Sequence, residues 1–145
     1  MRSRKVWQRH VAESDGLELV GVMDPAQAAL DASVEEGHVE ASACFTDLDA
    51  MLAQAAPDAL IACPIIAAHG EAVRAGLEAG CHVLVEKPFV TEVAEARELT
   101  DLAETRGLQL GVVQNWRTKS SGAALREAVA GGVIGDVSHI VFRYL

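Results

Sequence analysis

Aromatic residues make up 4% of this 145-residue chain, cysteines number 3 and prolines 4, and 12 Lys and Arg face 21 Asp and Glu. Each shortage excludes something. A formal charge of −9 is the wrong sign for gripping nucleic acid through its phosphates, so no nucleic-acid partner is expected. Cys44, Cys63 and Cys81 form no CxxC pair, which removes zinc-ribbon and thioredoxin-type motifs. No metal site is expected, and the thiols read as free and buried in a reducing compartment. The longest apolar stretch, Ala59 to Ala68, is broken by Pro64 and is too short to span a bilayer. Met1–His10 carries Arg2, Arg4, Lys5 and Arg9, but no apolar segment follows to make a secretory signal. The expectation is a soluble, cytoplasmic protein.

What is present is apolar content, at 50% of residues. A domain of this length buries roughly 68–70% of its unfolded surface, enough for a core without disulfides. Short apolar runs alternate with helical periods. Leu17–Met23 reads as a buried strand ending at Asp24-Pro25, and Pro25 suits the first turn of a helix through Ala28, Ala29, Leu30 and Ala32, stopped by Gly37. A weaker strand lies near Val39–Cys44. Thr46–Ala56 is predicted helical, with Thr46 or Asp47 as the cap and Leu48, Met51 and Leu52 on one face. Asp58–Cys63 is the next strand, Ala67–Ala79 the next helix, ended by Gly80, and His82–Val85 a strand running into Glu86-Lys87-Pro88. Thr91–Arg106 is predicted as a long helix with Val93, Leu99, Leu102 and Ala103 inside and Gly107 as its cap. Leu108–Val113 closes the series. This alternation argues a parallel α/β sheet with helices on both faces, because near-continuous apolar strands belong to sheets buried on both sides. Beyond it, Ser120–Ala130 reads as a helix and Val137–Tyr144 as a strand that looks like the opening of a second domain.

In an open parallel sheet, ligands bind at the carboxyl ends of the strands. That rule selects Asp24, Cys63-Pro64, Glu86-Lys87-Pro88 and Gln114-Asn115-Trp116-Arg117. An acid after the second strand of a dinucleotide fold accepts hydrogen bonds from ribose hydroxyls and repels a 2′-phosphate. Asp24 either does this or caps the following helix. Lys87, between an apolar strand and a proline, is expected to be held at the cleft mouth rather than extended into water. There it would donate to a substrate hydroxyl or act as a base, unless it forms an ordinary loop ion pair. Glu86 pairs with Lys87 or binds a ribose hydroxyl.

The runs HVLVEKPF at 82–89, AVRAGLEAG at 72–80 and RGLQLGVVQNWR at 106–117 resemble the Gfo/Idh/MocA family of glucose–fructose oxidoreductase, inositol dehydrogenase and relatives. ELVGVMDP, PDALIACP and GGVIGDVSHIVFRY resemble that family's second strand, its fourth strand and its entry into the substrate domain. The resemblance implies a doubly wound, Rossmann-type sheet lacking its first strand at 1–114, then the beginning of an α+β substrate and oligomerisation domain at 115–145. It implies that Lys87 is the catalytic or substrate-orienting lysine, with Arg117 beside it at the substrate. Asp24, Pro64, Glu86, Lys87 and Asn115 would line the cofactor, NAD rather than NADP, and the Lys87–Pro88 bond would be cis. His69 departs from the family's T-P-N-x-x-H pattern, because C-P-I-I-A-A-H lacks the asparagine and sets the histidine one place later; it reads equally as a surface or packing residue.

The family's Gly-x-Gly-x-x-Gly turn has no counterpart, since the first glycine is Gly16. Val6–Ser14 reads as the second half of a first helix, so the chain is expected to be a fragment. The leading function is an NAD(P)-dependent oxidoreductase transferring hydride to or from a sugar-like or cyclitol-like alcohol or carbonyl, inactive in this truncated form. The resemblance also implies a homo-oligomer through the sheet of the second domain. The alternative is a non-catalytic interaction fragment that pairs through exposed sheet edges. A methyltransferase on the same scaffold is a third reading, opposed by the EKP string.

Overall fold

The structure, a computed structural model, describes residues 3–115, 119–141 and 143. It divides into two compact units, 1–113 and 114–145. The first unit opens with a π-helical segment, Ser3–Gln8, that continues into helix α1 (Arg9–Ala12). Then follow β1 (Val22–Met23), α2 (Gln27–Glu35), β2 (Cys44–Phe45), α3 (Leu48–Ala55), β3 (Ala59–Ala62), α4 (His69–Glu78), β4 (His82–Val85), α5 (Val93–Thr105) and β5 (Leu110–Val112). The strand–helix alternation and the parallel pairing agree with the Rossmann-type expectation.

The strands form two parallel sheets rather than one, β1-β2 and β3-β4-β5, and no ladder joins β1 to β3 among the described residues. In the two-stranded sheet successive residues serve opposite faces. Val22 and Cys44 meet α2 through Leu30, while Met23 and Phe45 pack against the cluster holding Met51 and Leu52 of α3. In the three-stranded sheet, Leu60 pairs in register with Val83, and Ala62 with Val85. These residues lie in one cluster with Val73 and Leu77 of α4 and with Leu99 and Ala103 of α5.

Local chemistry fixes the helix ends. Asp47 caps α3, its carboxylate accepting from the Ala50 N–H at 2.8 Å, a contact worth about 1 kcal/mol. At the end of α4, Gly80 has φ of +88°, which lets the Gly80 and Cys81 amides turn back onto the carbonyls of Leu77 and Gly76. Midway along α4, Gly76 lies over the sheet so closely that a Cβ there would sit 2.8 Å from Leu60 Cδ2 and 3.0 Å from Val83 Cγ2.

Three expectations need correction. The strand at Leu17–Met23 is ladder-paired only at Val22–Met23, and Leu17 is 61% exposed, because nothing pairs along its other side among the described residues. Val93 is not inside α5: it opens that helix and is 69% exposed. The second unit contains α6 (Ser120–Ala130), as expected, but residues 137–141 form no strand; they have no ladder partner among the described residues, and Ile140 and Val141 face solvent. The Phe142 and Tyr144 parts of that expectation lie outside the described residues. No described helix is long and apolar enough to cross a membrane.

Candidate functional site

Asp24 directly follows β1. Its backbone N–H continues the pairing by donating to Phe45 O at 3.1 Å. Its Oδ1 accepts from the Ala26 N–H at 2.9 Å, an Asx turn that sets the chain for α2. The helix itself starts at Gln27, with Ala26 in the capping position and no side-chain cap. Asp24 is therefore a turn former and not the cap of α2, and it is only half-buried at the carboxyl end of the strand.

Pro64 and Lys87 follow β3 and β4, which are parallel neighbours, so both stand at one edge of the three-stranded sheet. The Glu86 N–H donates to Ala62 O at 2.9 Å, extending the ladder one residue beyond β4. Glu86 itself is buried, and its two oxygens take separate donors: Trp7 Nε1 at 3.2 Å and the Lys87 backbone N–H at 3.3 Å. The Lys87–Pro88 bond is cis, as the resemblance implied. Lys87 is exposed, so the expectation that strand and proline keep it from water does not hold. Its backbone is what the fold restrains. Val85 and Glu86 are buried before it, and Phe89 packs against the core after it.

His69 is the residue sequence reasoning undervalued. It is 2% exposed, and its Nδ1 lies 2.6 Å from Pro88 O and 3.2 Å from Phe89 O. A 3-10 turn, Ile66–Ala68, leads from Pro64 to His69 at the first position of α4. A signal was available, since His69 stands four and eight residues before Val73 and Leu77, on the helix stripe that is buried. Trp7 offered none. Asn115 belongs to the second unit, and Arg117 lies outside the described residues. No group of three metal-ligating side chains occurs among the described residues.

A sequence model of the Gfo/Idh/MocA oxidoreductases, described as having an NAD-binding Rossmann fold, matches residues 2–114. The chain belongs to that family. It is 35% identical over 133 residues to D-glucoside 3-dehydrogenase of Escherichia coli, covering 92% of this chain and 37% of that one. It is 29% identical over 129 residues to 1,5-anhydro-D-fructose reductase of Ensifer adhaerens, covering 89% and 38%. Among solved structures, the apo scyllo-inositol dehydrogenase of Lactobacillus casei superposes with a TM-score of 0.83 at 25% identity, over 91% of this chain and 39% of that one. The family member described here thus spans less than two fifths of the length of each of these relatives.

Proposed function

We propose that this chain carries the cofactor-side surface of an NAD-dependent oxidoreductase acting on a sugar-like or cyclitol-like alcohol or carbonyl. The observation that carries the reading is the Glu86-Lys87-Pro88 turn: it ends a parallel strand, its backbone is fixed on both sides, and Lys87 is its exposed charged side chain. Strand carboxyl ends are where such sheets bind ligands.

The residues fit the ribose end of a dinucleotide. Asp24 commits one carboxylate oxygen to the Ala26 amide, which fixes the group while its second oxygen can accept from ribose hydroxyls. Its charge opposes a 2′-phosphate, favouring NAD over NADP. Pro64 and Glu86 flank the same edge, Glu86 shaping the turn through Trp7 and the Lys87 amide. A bound nicotinamide supplies hydride chemistry at the substrate carbon. Lys87 orients the substrate oxygen: its ammonium donates to a carbonyl and delivers the proton in reduction, and its neutral amine takes the hydroxyl proton in oxidation. Asn115 and Arg117 complete the nicotinamide and substrate end, and the second unit begins a substrate domain through which chains oligomerise. The cytoplasm is the compartment that suits Cys44, Cys63 and Cys81 as thiols outside any disulfide.

The pyrophosphate end is different. These 145 residues contain no Gly-x-Gly-x-x-Gly turn, so the backbone N–H cradle that a diphosphate needs is not among them. The experiment extends the chain before Met1 with a strand bearing such a turn and titrates NADH and NADPH by nucleotide fluorescence. NADH binding that exceeds NADPH binding, with the preference reduced by Asp24→Ser, supports the reading. No binding of either nucleotide overturns it. The second reading, an interaction module, draws on the edges of β1 and β3 that have no ladder among the described residues; sedimentation of the chain as a concentration-dependent dimer would favour it.

A further inference from the structure

We infer that His69 is a positioning residue for Lys87, acting through the carbonyls of Pro88 and Phe89. The inference rests on the proposed function only for what Lys87 does; the mechanical link stands on geometry. His69 opens α4 on the same stripe as Val73 and Leu77, both fully buried. A polar ring placed there loses water and has to find partners inside the protein. It finds two, Pro88 O at 2.6 Å and Phe89 O at 3.2 Å from a single nitrogen. Carbonyl oxygens only accept, so Nδ1 carries a hydrogen and shares it between them.

The consequence is positional. Lys87 stands between Glu86, which the Ala62 carbonyl and Trp7 hold, and the Pro88–Phe89 pair, which His69 holds. Without the imidazole, two carbonyls at the edge of the core lose their donor and the segment after Lys87 keeps the apolar packing of Phe89 and Val90 but not that hydrogen bond. The helix that packs on β3 and β4 thereby also sets the turn that leaves β4. Leucine at 69 would fill a similar volume and donate nothing. Asparagine places an amide N–H at the same distance from Cβ as Nδ1 and can serve both oxygens.

The test uses the chain as it stands. Long-range proton–nitrogen spectra should show Nδ1 of His69 protonated, with a proton slow to exchange; an unprotonated Nδ1 overturns the inference. Amide exchange at Lys87 should accelerate about tenfold in His69→Leu, the scale of one lost hydrogen bond, and stay near the parent rate in His69→Asn. A purely structural role predicts that both variants melt earlier while Lys87 exchange is unchanged, and that result also overturns it. If His69→Leu does not fold, His69→Ala takes its place, with the same acceleration expected at Lys87 and an unchanged rate again overturning the inference. These readouts need neither nucleotide nor substrate, so the oxidoreductase reading can fail in its own titration while His69 still holds the turn.

Discussion

Trp7 Nε1 donates to Glu86 Oε1 at 3.2 Å, tying the first helical segment to the turn after β4 across 79 residues of sequence. The carboxylate it meets is 7% exposed, and a buried oxygen that loses its donor costs about 1–3 kcal/mol, more when the group is charged.

Trp7→Phe keeps most of the ring and removes the N–H. It should destabilise the first unit by about 1–3 kcal/mol, read as a lower urea midpoint with an unchanged slope. Combining it with Glu86→Leu, which removes the acceptor, tests whether the two act together. Additive losses would mean the indole serves only as packing.

Beside Trp7, Gln8 is also buried, and its Oε1 has no hydrogen-bond partner among the described residues. Replacing it with an apolar side chain of similar shape removes an uncompensated acceptor. Gln8→Met should leave stability unchanged or raise it by up to about 1 kcal/mol; a loss in urea unfolding would show that this oxygen has a donor after all.

Two glycines in α4 should answer differently to the same change. Gly76→Ala drives a methyl into Leu60 and Val83 from the sheet side, and overpacking of this kind costs about 1–3 kcal/mol. At Gly70 the nearest atoms to a new methyl are those of the Glu95 carboxylate, the far end of a flexible side chain, and alanine gains helix propensity. Gly70→Ala should be near neutral by thermal unfolding. Equal losses at both positions would place α4 differently on β3 and β4.

Much of this architecture is legible in the sequence because it depends on local signals. His82–Val85 and Ser120–Ala130 fall where periodicity puts them, and of the two cap candidates, Thr46 and Asp47, it is Asp47 that caps α3. Strand lengths are less legible, since a strand is realised only where a neighbour pairs with it. Residues 17–21 and 137–141 have strand-forming sequences and no ladder among the described residues. At the site, Asp24 and Lys87 are readable from their place after strands. The bonds from Trp7 to Glu86 and from His69 to Pro88 join distant segments, and only a stripe argument for His69 anticipates one of them.

Burial raises the Cys81 thiol above its ordinary pKa, with the Asp58 charge adding to the shift; its Sγ donates to Pro57 O at 3.1 Å. Cys44 is raised by burial and then by Asp31. A group whose folded pKa is raised holds its proton more tightly in the native state. Its contribution is fully present below the unfolded thiol value of about 8.5 and is lost as pH climbs through the folded value. Stability should therefore fall on the alkaline side. Cys81→Ser keeps a donor for Pro57 and does not ionise there, so it should flatten that fall. A urea midpoint that drops as steeply in the variant would assign the alkaline loss elsewhere.

The last expectation is that the 145-residue chain, unextended, binds NADH too weakly to register at micromolar protein and nucleotide. Asp24 and the Glu86–Lys87 turn are formed, so two of the groups proposed above for the ribose and the substrate stand at strand ends. The diphosphate, however, carries the nucleotide's charge, and the chain has an excess of acid, −9 overall. Backbone N–H groups at a helix N-terminus normally offset that charge, and no Gly-x-Gly-x-x-Gly turn is present to bring them close. The crevice is also affected, because β1-β2 and β3-β4-β5 are not joined by a ladder among the described residues, and the dinucleotide lies where strand order reverses in a continuous sheet. Fluorescence titration of the chain with NADH, run beside thermal unfolding, measures this. Micromolar binding accompanied by a raised melting temperature would show that residues other than a glycine turn hold the diphosphate, and Arg4, Lys5 and Arg9 would then be the first to replace.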